Sequence, residues 1–173
     1  MNVLVAYYSE TGNTRKVAEA IFAGIETVHK KLLPIEEVED FAAADLIFCG
    51  FPVIHHGLPE KITAFMKRIP DGGKIALFAT HGSMRGGEKA VTAFFAALSL
   101  CRNQKVLGTF GCQGQVKSQL IETLMEKPQH RAWALESQGA HGHPDAADLE
   151  DAKAFAAQML VSAKKFHGRD GQP

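Results

Sequence analysis

The stretch YYSETGNTRKVAE, residues 7–19, joins an apolar run to a helical pattern through a short polar loop. Residues 2–7 form the continuous apolar run that is typical of a buried strand, and apolar residues then recur at helical spacing at Val17, Ile21 and Ile25. The loop between them consists of hydroxyl, amide and glycine residues and one glutamate, Glu10. The stretch therefore predicts a strand, a polar turn and a helix in immediate succession.

The same alternation of strand and helix patterns continues along the chain. Further apolar runs lie at residues 32–35, 45–51, 74–80 and 105–112, and each except the first is followed by apolar residues at helical spacing. Unbroken apolar strands are typical of parallel sheets that are buried on both faces. The pattern therefore predicts an α/β fold, an open and doubly wound sandwich with helices on both faces of the sheet.

Two segments fit this pattern poorly. Residues 36–44 are short for a crossover helix, and residues 128–144 are predicted to be irregular, with an exposed Trp133 that is available for a homodimer or partner contact. After them, Asp145 is a candidate N-cap for a last helix.

The composition is that of an ordinary globular protein, with 173 residues of which 46% are hydrophobic and 22% charged. Lysine plus arginine and aspartate plus glutamate each count 19, so no net charge favours nucleic acid or an anionic membrane as a partner. No apolar run reaches the roughly 18–20 residues of a membrane span, and the three widely spaced cysteines predict no disulfide framework. We expect one domain over residues 1–167, a frayed tail at 168–173, and a soluble, cytoplasmic protein.

The polar loop has the composition of a phosphate site. A helix N-terminus offers free N–H groups and a partial positive charge, while Gly12 allows the backbone to fold closely around an anion. The loop lacks the lysine of a nucleoside triphosphate loop and the glycine spacing of a dinucleotide site, which favours a terminal monophosphate. The alternative is that these residues only cap the helix.

The six residues SETGNT, at positions 9–14, resemble the [ST]-x-T-G-N-T phosphate loop of the flavodoxin family, which holds the ribityl phosphate of FMN. The order of elements over roughly residues 1–165 is also similar to that family. The resemblance implies a five-stranded parallel sheet in the order 2-1-3-4-5 and FMN as the cofactor. It also implies that the phosphate contacts are Ser9, Thr11, Gly12, Asn13 and Thr14, with Glu10 contributing through its backbone.

By the same resemblance, the flavin ring lies between the loops after the third and fourth strands, FPVIHHGLP (51–59) and THGSMRGG (80–87). Well-known flavodoxins place a tryptophan and a tyrosine on these loops, and this sequence has neither there. The candidates to cover the ring are therefore Ile54, His55, His56, His81 and Met84, which are alternatively solvent-facing loop residues. The full set of ring-loop candidates is Pro52, Val53, Ile54, His55, His56, Thr80, His81, Gly82, Met84, Arg85 and Gly86.

The sequence leaves three functions open. The first is an FMN-binding electron carrier between redox partner proteins, and the second is an FMN-dependent NAD(P)H reductase of quinones or other small acceptors. The third is a flavin-free binding module on the same fold. Because the chain is neutral and places Arg85 and three histidines in these loops, we expect a less negative second reduction potential than in acidic flavodoxins.

Metal and thiol chemistry have weaker support. His141, His143 and Asp145 lie close together, but no histidine or acidic spacing is diagnostic, so we expect no metal site. Cys112 ends the last predicted strand near the cofactor edge, yet the chain has no Cys-x-x-Cys motif.

Overall fold

The computed structural model describes residues 1–27, 29–55 and 57–167, without the side chains of residues 166 and 167. The predicted ring-loop residue His56 and the predicted tail at 168–173 lie outside the described residues.

The core of the protein is a sheet of five parallel strands in the order β2-β1-β3-β4-β5. The strands are β1 (Val3–Tyr7), β2 (Lys30–Pro34), β3 (Leu46–Pro52), β4 (Lys74–His81) and β5 (Lys105–Gln113). The helices are α1 (Asn13–Ala23), α2 (Glu60–Met66), α3 (Glu88–Leu100), α4 (Ser118–Met125), α5 (Pro128–Gln138) and α6 (Ala146–His167). The doubly wound sheet and its strand order confirm the fold predicted from the sequence.

Alternate residues of the central strands face two separate hydrophobic cores. On the face covered by α1 and α6, the rings of Phe48 and Phe78 are fully buried and Phe155 of α6 packs against Phe48. On the face covered by α2 and α3, Phe51 and Phe65 belong to the second core. Burial on both faces explains why the strands read as unbroken apolar runs.

The connection from β2 to β3 crosses β1 without an α-helix. It contains only a 3₁₀ turn at Ile35–Glu37, and side chains replace the missing helix as a cover for the sheet. Phe41 is 8% exposed and packs edge-on against Phe65, with ring centroids 5.3 Å apart. Arg68 of the turn after α2 donates hydrogen bonds to the carbonyls of Val38 (2.8 Å) and Glu39 (2.9 Å).

The prediction that residues 128–144 are irregular is wrong for the first eleven of them, which form α5. Pro128 occupies the first turn, where its missing N–H is not needed. Only Ala134 and Ser137 of α5 are buried, so the helix lacks the apolar stripe by which a helix is recognised in sequence. It packs against α4, and we call residues 118–138 the α4–α5 hairpin.

The start of α6 confirms the predicted cap at Asp145. The Asp145 carboxylate accepts a hydrogen bond from the Asp148 N–H (2.9 Å), and the Asp148 carboxylate accepts one from the Asp145 N–H (3.0 Å). This reciprocal arrangement is a capping box. None of the helices in the described part of the chain is long and apolar enough to cross a membrane.

Candidate functional site

The polar loop after β1 folds around Gly12 and the hydroxyl of Ser9. Gly12 has a φ of 89°, a left-handed conformation that favours glycine. The Ser9 Oγ accepts hydrogen bonds from the N–H groups of Gly12 (3.2 Å) and Arg15 (3.3 Å). Ser9 therefore shapes the loop and satisfies one N–H of the first turn of α1.

Other N–H groups of this loop remain available at the start of α1. Within the described residues, the backbone N–H groups of Thr11, Asn13 and Thr14 have no hydrogen-bond partner. The first turn of α1 contains no acidic residue. Unpaired N–H groups at a helix N-terminus form a site for an anion.

Side chains of the loop connect it to the ends of two other strands. The Asn13 Nδ2 donates to the Thr11 Oγ1 (3.1 Å) and to the Gln115 carbonyl just after β5 (3.0 Å). The hydroxyls of Thr14 and Thr80 lie 2.8 Å apart, and both side chains are buried. The polar loop is thus held against the carboxyl ends of β4 and β5.

A cavity of about 440 Å³ opens beside this loop at the carboxyl edge of the sheet, which is the usual ligand position in a doubly wound fold. Ten of the residues predicted from the sequence line it: Glu10, Thr11, Asn13, Pro52, Val53, Ile54, His55, Thr80, His81 and Gly82. The other lining residues are Ser83, Lys89, Gly114, Gln115, Val116, Lys117, Leu120, Leu124, His130 and Trp133. The predicted loops therefore meet in one cavity, and the α4–α5 hairpin adds a wall that the sequence did not predict.

The loop after β3 enters the cavity as a tight turn. The N–H and carbonyl groups of Ile54 and Gly57 exchange two hydrogen bonds of 3.1 and 2.9 Å. His55, inside the turn, has a φ of 48°, which is unusual for a residue with a side chain. The Val53 N–H donates to the Thr80 carbonyl (2.9 Å), so this turn is fixed to the end of β4.

The second half of the loop after β4 turns away from the cavity. Met84, Arg85 and Gly86 do not line it. Arg85 forms a salt bridge of 2.9 Å with Asp151 of α6, and its guanidinium lies 5.3 Å from the ring centroid of Phe110. Met84 is 63% exposed. The guanidinium of Arg85, which the sequence suggested would lie near the ring, therefore binds Asp151 of α6 instead.

His81 is the buried histidine of the cavity wall, with an exposed fraction of 4%. Its Nδ1 lies 2.8 Å from the Ser83 carbonyl, which can only accept, so Nδ1 carries the proton and donates. Burial lowers the pKa of the imidazole below its usual value. His81 is therefore held neutral and in one tautomer.

Trp133 lies on the hairpin wall, half-buried rather than exposed as predicted. Its Nε1–H donates to the Ser83 Oγ (3.1 Å), and the Lys89 Nζ lies 4.8 Å from its ring centroid. A Cβ on Gly82 would approach the Val116 Cγ2 to 2.6 Å and the Trp133 Cζ2 to 3.1 Å, so a larger residue there would displace these side chains. The one signal in the sequence was that this is the single tryptophan of the chain.

A model of the family described as flavodoxin domain matches residues 4–157. This chain belongs to the flavodoxin domain family. A curated relative, the flavodoxin-like domain-containing protein BilS from Clostridioides difficile, is 29% identical over 94% of this chain and 98% of its own length.

Two further proteins are similar to this chain, one in the sequence of a short segment and one in its fold. An FMN-dependent NADH:quinone oxidoreductase from Bradyrhizobium is 34% identical over 58 residues, which is 32% of this chain and 29% of that protein. The crystal structure of oxidised Flavodoxin 2 from Bacillus cereus covers 94% of this chain and 99% of its own, with a TM-score of 0.62 and 18% identity. The latter shows that the flavodoxin fold is shared.

The described residues that line the cavity carry a modest excess of positive charge. Lys89 and Lys117 line it, whereas Glu10 is the acidic residue among the described lining residues and its carboxylate accepts from the Tyr8 hydroxyl (2.9 Å). Burial lowers the pKa of Lys89, although the nearby carboxylates of Glu136 and Glu88 act in the opposite direction.

The remaining candidate groups have structural roles. His143, Asp145 and Asp148 bring ligand atoms within 4.8 Å of one another, but the two carboxylates cap α6 and His143 Nδ1 lies 2.5 Å from the Asp148 carboxylate. Burial raises the pKa of the Cys112 thiol to about 12, so it carries very little thiolate at neutral pH. The two carboxylates thus act in the cap of α6, and the Cys112 thiol is a weak nucleophile.

A second cavity of about 460 Å³ lies at the opposite end of the sheet, beside β1 and β2. Asn2, Lys30 and Phe41 are among its lining residues, and none of the predicted site residues is. The connection from β2 to β3 has no α-helix at this place. We therefore attribute the cavity to the space that a crossover helix would otherwise fill.

Proposed function

We propose that the protein is an FMN-binding electron-transfer protein that passes electrons between redox partner proteins. The observation that carries the proposal is the loop of residues 9–14, in which the unpaired N–H groups of Thr11, Asn13 and Thr14 flank a left-handed Gly12 at a helix N-terminus. Such a loop suits the terminal phosphate of FMN, and it contains no lysine for a longer phosphate chain.

The residues of the cavity fit the rest of FMN. Val53 and Ile54 supply apolar surface, and Gly82 and Gly114 line the cavity without side chains that would fill it. FMN supplies the redox chemistry when it is bound. The protein's part is to hold the phosphate, orient the ring and exclude water, so no acid–base pair is required.

A second candidate function is an FMN-dependent reductase of quinones or other small acceptors. It is favoured by the extension of the cavity along the α4–α5 hairpin, where Leu120, Leu124 and His130 line space beyond the loops expected to hold the ring. The likeness to an FMN-dependent NADH:quinone oxidoreductase over 58 residues agrees with it. Steady oxidation of NADH or NADPH in the presence of a quinone would favour the reductase, and its absence would favour the carrier.

The proposal is tested by comparing FMN with riboflavin, which lacks the phosphate. We expect purified protein to bind FMN with a flavin absorbance spectrum and to bind riboflavin at least ten times more weakly, since charge-assisted hydrogen bonds contribute about 1.5–3 kcal/mol. Equal affinity for the two, or binding of neither, would contradict the proposal.

A matched pair of glycine variants isolates the phosphate loop. Gly12 (φ 89°) and Gly72 (φ 77°) both have left-handed backbones and open space around a new Cβ. Gly12→Ala and Gly72→Ala therefore introduce similar backbone strain, but Gly72 precedes β4 at the opposite end of the sheet. We expect only Gly12→Ala to weaken FMN binding, without an equal effect on riboflavin.

A further inference from the structure

Trp133 occupies an unusual position for an aromatic residue beside a flavin site. It comes from α5 and lines the same cavity as the phosphate loop and the two ring loops. The described lining residues include no other tryptophan, tyrosine or phenylalanine. The large aromatic surface of this cavity therefore comes from the α4–α5 hairpin.

Three contacts fix the Trp133 ring in place. Its Nε1–H donates to Ser83, whose side chain is 2% exposed, and the Lys89 ammonium lies over the ring at 4.8 Å from the centroid. Gly82 lets the indole approach the backbone at the end of β4. A ring held in this way loses little conformational entropy when a flat ligand packs against it.

We propose that Trp133 forms the aromatic wall against which the isoalloxazine ring binds, in place of an aromatic residue on the loops after β3 and β4. The inference rests on the proposed FMN binding. It assigns the α4–α5 hairpin a role in ring recognition, separate from phosphate recognition by residues 9–14. Ring and phosphate contacts are therefore expected to make independent contributions to affinity.

The first test measures the affinity of Trp133 variants for FMN and for riboflavin by titration calorimetry. FMN and riboflavin share the isoalloxazine ring and differ only in the phosphate, so the loss of stacking in Trp133→Ala should weaken both ligands by the same factor, about tenfold. Trp133→Phe should recover most of the loss. Leu135→Ala is the control, since Leu135 lies on the same helix, is 51% exposed and does not line the cavity.

The second test needs no variant. Trp133 is the single tryptophan of the chain, so a ¹⁵N-labelled sample gives one indole N–H signal. FMN and riboflavin should both shift this signal strongly, and inorganic phosphate at saturating concentration should leave it close to its original position.

The outcomes separate this inference from the proposed function. Wild-type protein that binds no FMN would overturn both. FMN binding that Trp133→Ala changes less than twofold, or an indole signal that FMN leaves unmoved, would overturn the inference and leave FMN binding intact. If Trp133→Ala does not fold, the Phe variant and the indole signal decide.

Discussion

The hydroxyl oxygens of Thr14 and Thr80 lie 2.8 Å apart, with exposed fractions of 1% and 3%. This contact joins the first turn of α1 to the end of β4. It therefore connects the loop of residues 9–14 to the strand that leads into the loop of residues 80–87. Either hydroxyl can donate, because each carries one proton and two lone pairs.

We expect Thr14→Val and Thr80→Val each to lower the free energy of unfolding by about 1–2 kcal/mol, because each leaves a buried hydroxyl without a partner. The double variant should cost less than the sum of the two, since both hydroxyls are then absent. Urea unfolding of the protein without flavin measures this coupling. Thr92→Val, at an exposed position of α3, is the control, and purely additive losses would contradict the hydrogen bond.

Gly82→Ala should disturb the contact between the loop after β4 and the hairpin. The new Cβ would lie 2.6 Å from the Val116 Cγ2, and overpacking of this kind costs about 1–3 kcal/mol. Val116→Ala removes that methyl group and should recover part of the stability in the double variant. Gly139→Ala serves as a milder comparison, because its Cβ would meet only the Glu136 carbonyl at 3.3 Å. Urea unfolding gives the stabilities, and a double variant no better than Gly82→Ala would contradict the proposed clash.

Lys89→Gln should make the second reduction potential of the FMN-bound protein more negative, on the order of 50 mV, because it removes a cation that stabilises the anionic reduced flavin. Lys89 lines the cavity, whereas Lys165 on α6 is exposed and does not, so Lys165→Gln should have no effect. A potentiometric titration measures both. The wild type, with a formal net charge of 0, should show a less negative second step than strongly acidic flavodoxins, and an unusually low value would refute this expectation.

His81 should make the protein less stable in mild acid. Burial lowers the pKa of His81 in the folded state, while the unfolded chain has a pKa near 6.5. As the pH falls below about 6.5, the unfolded state binds a proton that the folded state does not, so the free energy of unfolding decreases. Between about pH 7.5 and 5.5, the wild type should lose more stability than His81→Asn, which can still donate to the Ser83 carbonyl. Equal losses in urea unfolding would show that His81 contributes nothing to the pH dependence.

The strand order was predictable because the family resemblance of residues 9–14 and the unbroken apolar runs agree. The hairpin wall was not predictable, because α5 buries only Ala134 and Ser137 and so shows no apolar stripe. The direction of Arg85 was also hidden, since its partner Asp151 is 66 residues away in sequence. Local composition identified the loops that surround the cavity, whereas long-range contacts decided which of their side chains enter it.

The edge strand β2 has a consequence for association between chains. Lys30 and Lys31 begin this strand and Pro34 ends it. The Lys30 ammonium is bound to the carbonyls of Phe22 (2.8 Å) and Ile25 (2.9 Å) at the end of α1, so this lysine also caps a helix. Because Pro34 has no N–H and Lys31 would bring charge against an incoming strand, sheet extension at β2 is disfavoured. A redox partner or a second copy is therefore not expected to add a strand to the sheet at β2.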